Sequence, residues 1–478
     1  MADAPAFAPA LAPELAADFP PATQAQWRAL VDKTLGEAPF GSLESVTVEG
    51  LPIEPLYAPA RAPTAPARAV SADRAWEVAT LTAHPDPARA NAEILADLRG
   101  GAAGAVLRID PTGAAGTAIG SATDLARALD GVILEFAPVA LDAGFLGPQA
   151  ADWLGATAKA APTALLRLHL DPLSAFAEAG ASPGPIEAQL IAAANVAARL
   201  AETYPQAQLF LASGRVVHEA GGGEAAEVAF AAAAAVAYAK ALVRAGLPMA
   251  EAFGRITLGL AADGDYFVTI AKLRAARAVW ARIATACEAD ATARIEARSS
   301  RRMLTAKDAW TNMIRLTAAG FGAAVGGADT VILGNFTDAL GLPTEFARRQ
   351  SRNTQLVLME EAHIGRVADP AAGSGYVEAL TDQIARAAWN DFQAIEAAGG
   401  IVAALTAGNV ARQVEAAKAA RPDPKIIGVT AFPPTHETPV EVELAAARSA
   451  KAQPNVRLPG PDSACAPLKP MRISKAFE

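Results

Sequence analysis

From residue 104 onward, short apolar runs rich in β-formers alternate with helix-length stretches of Ala and Leu. The runs are GAVLRI (104–109), GVILEF (131–136), ALLRLHL (164–170), QLFLAS (208–213), ITLGLAA (256–262), RIEARSS (294–300), TVILGNF (330–336) and GRVADPAAGS (365–374). A strand–helix–strand repeat builds a parallel sheet with right-handed crossovers. Eight such units close most economically into a (β/α)8 barrel. A doubly wound open sheet is the alternative, and the count argues against it. The fold class expected is therefore α/β, a (β/α)8 TIM barrel with an N-terminal helical arm and a C-terminal helical linker.

The bulk chemistry fits a compact globular chain, with 52% hydrophobic and 19% charged residues. A net charge of -9 with no basic block argues against nucleic acid. Cys287 and Cys465 are the two cysteines, so no disulfide framework is implied and a reducing cytoplasm is expected. The N-terminus MADAPAFAPALAPELAADFPP lacks a basic region and is broken by Pro, Asp and Glu, against a signal peptide. The apolar run 228–239 is too short to span a bilayer and is expected to be a buried helix, with no membrane partner.

Outside the repeat the reading is coarser. Residues 1–17 read as a flexible Ala/Pro arm. Thr23 and Gln26 form a capping-box pattern for a helix to Leu35, with Trp27, Leu30, Val31 and Leu35 on one face. Residues 45–57 suggest an extended segment and 58–72 a Pro/Ala linker. After residue 400, helices are expected over 401–421 and 441–452, with a strand over 425–433 stopped by Pro433 and Pro434. The domains expected are an arm for wrapping a partner (1–60), the barrel (61–400) and a C-terminal linker and tail (401–478).

Barrel enzymes place reactive groups at the C-terminal ends of strands. The runs here end in Asp110, Asp171, Ser213-Gly214-Arg215, Asp263-Gly264-Asp265, Ser299 to Arg302, Gly334-Asn335 and Asp369. Asp110, Asp171 and Asp369 read as helix N-caps. Asp263 and Asp265 read as a loop turn, since no His is paired with them for a metal. Arg215, Arg301 and Arg302 suit either an anion or salt bridges. His84, His169, His218, His363 and His436 show no metal-ligand spacing, and the glycines before Glu224 read as a loop. Residue by residue, the chain offers a large barrel without a reactive constellation.

Longer strings carry more. LTAKDAWTNMIRLTAAGFGAAVGGADTVILGN begins at Leu304, and LPTEFARRQSRNTQLVLMEE follows from Leu342. Asp369-Pro370-Ala371-Ala372-Gly373-Ser374-Gly375-Tyr376-Val377-Glu378 matches a DP-x-x-G-S-x-Y-V-E signature. This region resembles the substrate-binding barrel of the methylmalonyl-CoA mutase family, adenosylcobalamin-dependent radical isomerases. DFPPATQAQWRALVDK (18–33) resembles the opening of the small chain of the heterodimeric enzyme.

The departures from the family pattern matter most. Catalytic members carry G-Y-H-M-x-E-A-G, whose His donates to the substrate thioester. Here Gly214 to Gly221 puts Val216 at that position, with His218 two residues on. The His of Q-S-L-H-T-N becomes Ile332, and the Gln of T-H-C-Q-T-S-G becomes Arg298. The Arg, Gln and Tyr of R-P-W-T-I-R-Q-Y become Ala79, Thr80 and Leu81. No His lies two residues after an Asp, as the cobalt-binding D-x-H-x-x-G requires. MRISKAFE (471–478) resembles the linker into the family's flavodoxin-like cobalamin domain, and no such domain is expected within these residues.

Losing one preorganised donor costs about 10²–10³ in rate. The resemblance therefore implies a non-catalytic small subunit, with no catalytic residue, cofactor or metal of its own and a lumen packed with aliphatic side chains. It also implies a catalytic large subunit as partner, carrying adenosylcobalamin and interconverting methylmalonyl-CoA and succinyl-CoA in propionate metabolism. An active acyl-CoA mutase barrel served by a separate cobalamin chain, and a repurposed barrel used as a binding module, are the alternatives.

Overall fold

A computed structural model describes residues 22–450 and 463–478, apart from 48, 61, 70–73 and 447. The arm expected over 1–17 lies outside the described residues. The chain divides after Leu56 into two compact units. In the first, helix α1 (Gln24–Leu35) starts at the expected capping box. Gln26 N donates to Thr23 Oγ1 at 3.2 Å and Thr23 N to Gln26 Oε1 at 2.8 Å. None of its residues is buried, and Leu30 is 65% exposed. A short antiparallel ribbon pairs Ser45–Val46 with Pro52–Ile53.

The second unit is built on a closed barrel of eight parallel strands. These are β1 (Glu77–Thr82), β2 (Gly104–Arg108), β3 (Val139–Asp142), β4 (Arg167–Leu170), β5 (Gln208–Ser213), β6 (Ile256–Ala262), β7 (Arg294–Ser299) and β8 (Thr330–Ile332). Strand β8 closes the ring, with Val331 aligned to Val78 of β1 and to Ala297 of β7. Between strands run α2 (Pro87–Arg99), α3 (Ala122–Ala128), α4 (Gly147–Thr157), then α5 (Pro172–Ala179) with α6 (Ile186–Thr203). After β5 come α7 (Arg215–Glu219), α8 (Glu224–Arg244) and α9 (Met249–Gly254). Helices α10 (Tyr266–Ala286), α11 (Asn312–Val325), α12 (Glu345–Leu356), α13 (Gly375–Ala397), α14 (Ile401–Thr406) and α15 (Asn409–Ala420) complete the shell.

Alternation along each strand sends one set of side chains outward into a core of Leu, Val, Ile and Ala shared with the helices. Helix α8 is, at 21 residues, longer than its apolar run and long enough to cross a bilayer by length and composition. It is instead a core helix: 83% of its apolar window is buried, against β5, β6, α6, α10 and α13.

The expected barrel is present with its eight strands, but the first strand was not expected, and the runs 131–136 and 365–374 are not strands. Glu77–Thr82 was missed as the first strand, and 365–374 is a loop of turns. The third strand starts after Pro138; in 131–136, Gly131 takes φ +73 and Phe136 is 82% exposed, so that run turns. The strand expected over 425–433 is also a turn, closed by Ala431 N to Ile426 O at 3.0 Å with Gly428 at φ +81. The helix expected from 441 is absent over the described residues to 450, because that backbone bonds to barrel loops rather than to itself.

The signature around Glu378 proves to be a clamp. Its carboxylate accepts Thr64 N at 2.7 Å, Gly373 N at 3.1 Å and Arg274 Nη2 at 2.5 Å. Arg274 also holds Asp369 at 2.5 Å, so Asp369 is an ion-pair partner and not the expected N-cap. Ser374 caps α13 instead, its side-chain oxygen accepting Val377 N. Gly375 admits the incoming linker, since a Cβ there would lie 1.9 Å from Ala58 O. Gly375→Ala should therefore destabilise the barrel by about 1–3 kcal/mol, read as a lower urea midpoint and faster proteolysis within 57–69.

Candidate functional site: the barrel axis and its mouth

The inward-facing positions of the strands carry charges of both signs. Glu77 comes from β1, Arg108 from β2, Asp142 from β3, Arg167 and His169 from β4, and Glu296 and Arg298 from β7. Arg298 Nη1 lies 3.1 Å from Asp142 Oδ2. In the closed ring, β7 and β3 stand four strands apart, on opposite walls. The pair therefore spans the lumen. Arg108 adds a second contact to Asp142 at 3.1 Å, and Arg298 reaches Glu296 at 3.4 Å. Arg167 of β4 pairs with Glu77 of β1, three strands away, near the N-terminal ends of the strands. Below that pair a cleft of about 380 Å³ opens at the barrel floor, lined by Arg167, Gln208, Arg255 and Arg294.

His169 departs from strand geometry to join this set. Its φ is +45, and the register between β4 and β5 shifts between Arg167 and Leu170. Such a non-glycine conformation costs about 1–3 kcal/mol. It brings Nδ1 to 3.6 Å from Glu296 Oε2.

The charges fix each other's protonation. Burial alone would raise the Asp142 carboxyl, but Arg108, Arg298 and Arg215 outweigh it and hold it well below the usual range. Burial raises Glu296 too, and His169 with Arg298 reverses that into a net lowering. Arg298 falls to about 10, first from burial and then from Arg215, and so stays charged at neutral pH. Burial lowers His169 to about 4, with Glu296 opposing and Arg167 and Arg298 assisting. With His169 neutral, the strand residues of the network balance, three Arg against three carboxylates.

The residues singled out in the sequence fall in different places. Ile332 lies on the axis in a small apolar layer with Ala79, Val106, Ala140 and Leu81. Arg298 is in the ion network. Val216 is on α7, 8% exposed, in the core shared with the helices. The lumen is thus not the aliphatic packing expected: its upper and lower levels are ion pairs, because the replaced positions sit among charged neighbours invisible to motif comparison. His218 is absent from the axis. It is fully buried, 2.8 Å from Ser300 Oγ, between Glu227 and Asp263.

Asp171 does cap α5, accepting Ser174 N at 3.2 Å and Tyr238 Oη–H at 2.6 Å, and burial pushes it up to about 7. Asp110 caps a turn rather than a helix, accepting Thr112 N and Ala115 N. Asp265 caps α10, while Asp263 holds Arg302 at 2.9 Å. Arg215 bonds Ser213 Oγ at 3.1 Å, and Arg301 is exposed. His84 is held by Glu443 at 3.2 Å; His363 and His436 are exposed.

Glu77, Arg108, Asp142, Arg167, His169 and Glu296 were missed as a set. Their signal was present as charge at period two inside apolar strands: Arg-x-His at 167–169 and Glu-x-Arg at 296–298.

At the mouth, by the C-terminal ends of the strands, Glu443, Ala450, Cys465, Leu468, Met471 and Ile473 bond to the barrel loops. Glu443 N donates to Leu342 O at 2.9 Å, Ala450 N to Pro111 O at 2.8 Å and Cys465 N to Gly180 O at 2.9 Å. Leu468 N donates to Ala177 O at 2.7 Å, Met471 N to Glu219 O at 2.8 Å and Ile473 N to Arg302 O at 3.0 Å.

Fold and site together define a (β/α)8 barrel whose own side chains cross its axis and whose own tail crosses its mouth. A family profile described as "Methylmalonyl-CoA mutase" matches residues 66–458. The chain is 40% identical over 474 residues to "Methylmalonyl-CoA mutase small subunit" of Streptomyces virginiae, covering 92% of this chain and 75% of that protein. It is 39% identical over 406 residues to "Probable methylmalonyl-CoA mutase small subunit" of Mycobacterium tuberculosis (strain ATCC 25618 / H37Rv), covering 79% and 64%. A third, "Methylmalonyl-CoA mutase small subunit" of Propionibacterium freudenreichii subsp. shermanii, is 36% identical over 437 residues, covering 85% and 67%. The chain thus spans about two thirds to three quarters of these relatives. It belongs to the methylmalonyl-CoA mutase family.

The family's cofactor finds no matching donor set among the described residues. His84, His169 and His218 each face a carboxylate, and the rim a corrin would approach is bonded to the tail.

Arg298→Met leaves Glu296 uncompensated and should cost about 3–5 kcal/mol. Glu296→Gln in the same chain should restore a large part of it, measured as a double-mutant cycle in urea. The His169 imidazole, depressed to about 4, contributes stability present above its unfolded pKa and lost as pH falls toward 4. Its NMR resonances should stay in the neutral form until that range.

Proposed function

We propose that this chain is the non-catalytic small subunit of an adenosylcobalamin-dependent methylmalonyl-CoA mutase. The observation that carries the reading is the Arg298–Asp142 pair at 3.1 Å between opposite walls. In catalytic members an acyl-CoA occupies the barrel lumen, and a thioester chain cannot pass a closed ion pair without breaking it. Parting them takes one of two partners from each charge, leaving Asp142 with Arg108 and Arg298 with Glu296, and is unfavourable in a largely buried site. The positions of the two family imidazoles hold Val216 and Ile332, which donate no hydrogen bond. Relatives at 36–40% identity bear small-subunit names, which supports a subunit role.

The partner in this reading is the catalytic large subunit, which holds adenosylcobalamin and interconverts methylmalonyl-CoA and succinyl-CoA in the cytoplasm. Helix α1, with no buried residue and Leu30 65% exposed, offers an apolar face for pairing. Exposed Leu side chains on one helix face gain about 1.5–3 kcal/mol each when a partner covers them.

Purified alone and supplied with adenosylcobalamin, the chain should form no succinyl-CoA from methylmalonyl-CoA. Co-expressed with a large subunit, it should elute as a 1:1 complex that turns over. Turnover by the isolated chain would sink the proposal.

A further inference from the structure

A second charged cluster lies off the axis, beneath the tail. His218 of α7 is fully buried and faces Glu227 of α8 at 3.4 Å, Glu224 of α8 at 4.0 Å and Asp263, after β6, at 3.2 Å. Lys272 of α10 pairs with Glu227 at 2.6 Å. Arg302, after β7, pairs with Asp263 at 2.9 Å and Glu224 at 3.7 Å. Three carboxylates thus face Lys272, Arg302 and one imidazole. The cluster is neutral only when His218 carries its proton. At its edge, Asp265 faces Glu224, Asp263 and Lys272, Glu219 accepts the backbone N of Arg301 at 3.0 Å, Arg421 donates to Gly221 O at 3.4 Å, and Lys418 of α15 is paired with Glu415.

The tail docks on this cluster through its backbone. Arg302 Nη1 donates to His218 O at 3.0 Å and to Gly222 O at 2.9 Å, which ties the turn of α7 to the end of β7. Two tail amides read that tie: Met471 N bonds Glu219 O, next to His218, and Ile473 N bonds Arg302 O. Met471 also packs over Gly221, where a Cβ would lie 2.9 Å from its Sδ. Ser474, 1% exposed, donates to Leu304 O at 3.1 Å.

We propose that residues 463–478 are a strap across the barrel mouth whose docking is locked by the charge on His218, and that loss of this one proton releases it. The proposal does not depend on the role suggested above. Without the proton a buried carboxylate is left uncompensated, and such a group costs several kcal/mol unless the structure opens. Burial, Arg302 and Lys272 oppose protonation of His218, but Glu227 and Asp263 outweigh them and raise it above its ordinary range. The sign follows: the strap is docked while His218 is charged, and docking is lost as pH rises through its raised pKa.

Hydrogen exchange on the full chain, corrected for intrinsic rates, reads this directly. Between pH 5.5 and 9, amide protection over 463–478 should fall by at most about tenfold per pH unit as pH rises through the His218 titration. Peptides from α8 and β6 should keep theirs. In His218→Gln, strap protection should be low and flat. A flat wild-type profile, the wild-type slope persisting in His218→Gln, or loss of α8 protection in step with the strap would each overturn the proposal. Should the variant not fold, the wild-type imidazole titration by NMR decides. A midpoint coincident with strap release supports the lock, and a separate midpoint refutes it.

Discussion

The contact on which the rest depends is the Arg298–Asp142 pair, two charges from opposite walls of a closed barrel meeting on its axis. A barrel of eight strands has an interior just wide enough for side chains to fill. Here Arg side chains are long enough to cross it. Because β7 and β3 are opposite, one 3.1 Å contact closes the lumen without a bulky aromatic. Everything around it follows from keeping that pair satisfied. Arg108 shares Asp142, Glu296 shares Arg298, and His169 bends out of strand geometry to face Glu296.

Charge pairing closes a channel differently from apolar packing. Aliphatic side chains fill by volume, and the cost of reopening them scales with area. A charged closure is no more stable than a well-packed apolar one, but it is costly to break one partner at a time. Its selectivity against an entering ligand lies in that asymmetry. The apolar layer of Ala79, Val106, Ala140 and Ile332 lies beside these charges, and Arg298 bridges them by reaching both Asp142 and Glu296. The tail adds a separate closure at the mouth, made mainly of backbone hydrogen bonds to loops. The second cluster, around His218, stands under that tail and is chemically independent of the axis.

The barrel was legible because its signal is a repeat. Six of the eight observed strands overlap apolar runs that period and composition expose. The first strand was hidden because Glu77–Thr82 follows a Pro/Ala linker and opens with a charge that belongs to the lumen. Residues 365–374 imitated a strand because a sequence signature drew attention to them; physically they are the loop that lets Arg274 and Glu378 clamp the linker. The replaced family positions were legible from the motifs, whereas the ion network was not. Pairing between strands three or four apart depends on ring closure, and no local pattern reports it. The docking of Glu443, Ala450 and residues 465–473 was hidden for the same reason, since their partners are loops more than a hundred residues away.

Equilibrium dialysis of the purified chain against labelled methylmalonyl-CoA tests the closed axis most directly. The account requires no saturable binding up to millimolar ligand. Stoichiometric binding, with loss of the Arg298–Asp142 contact in the bound form, would contradict it.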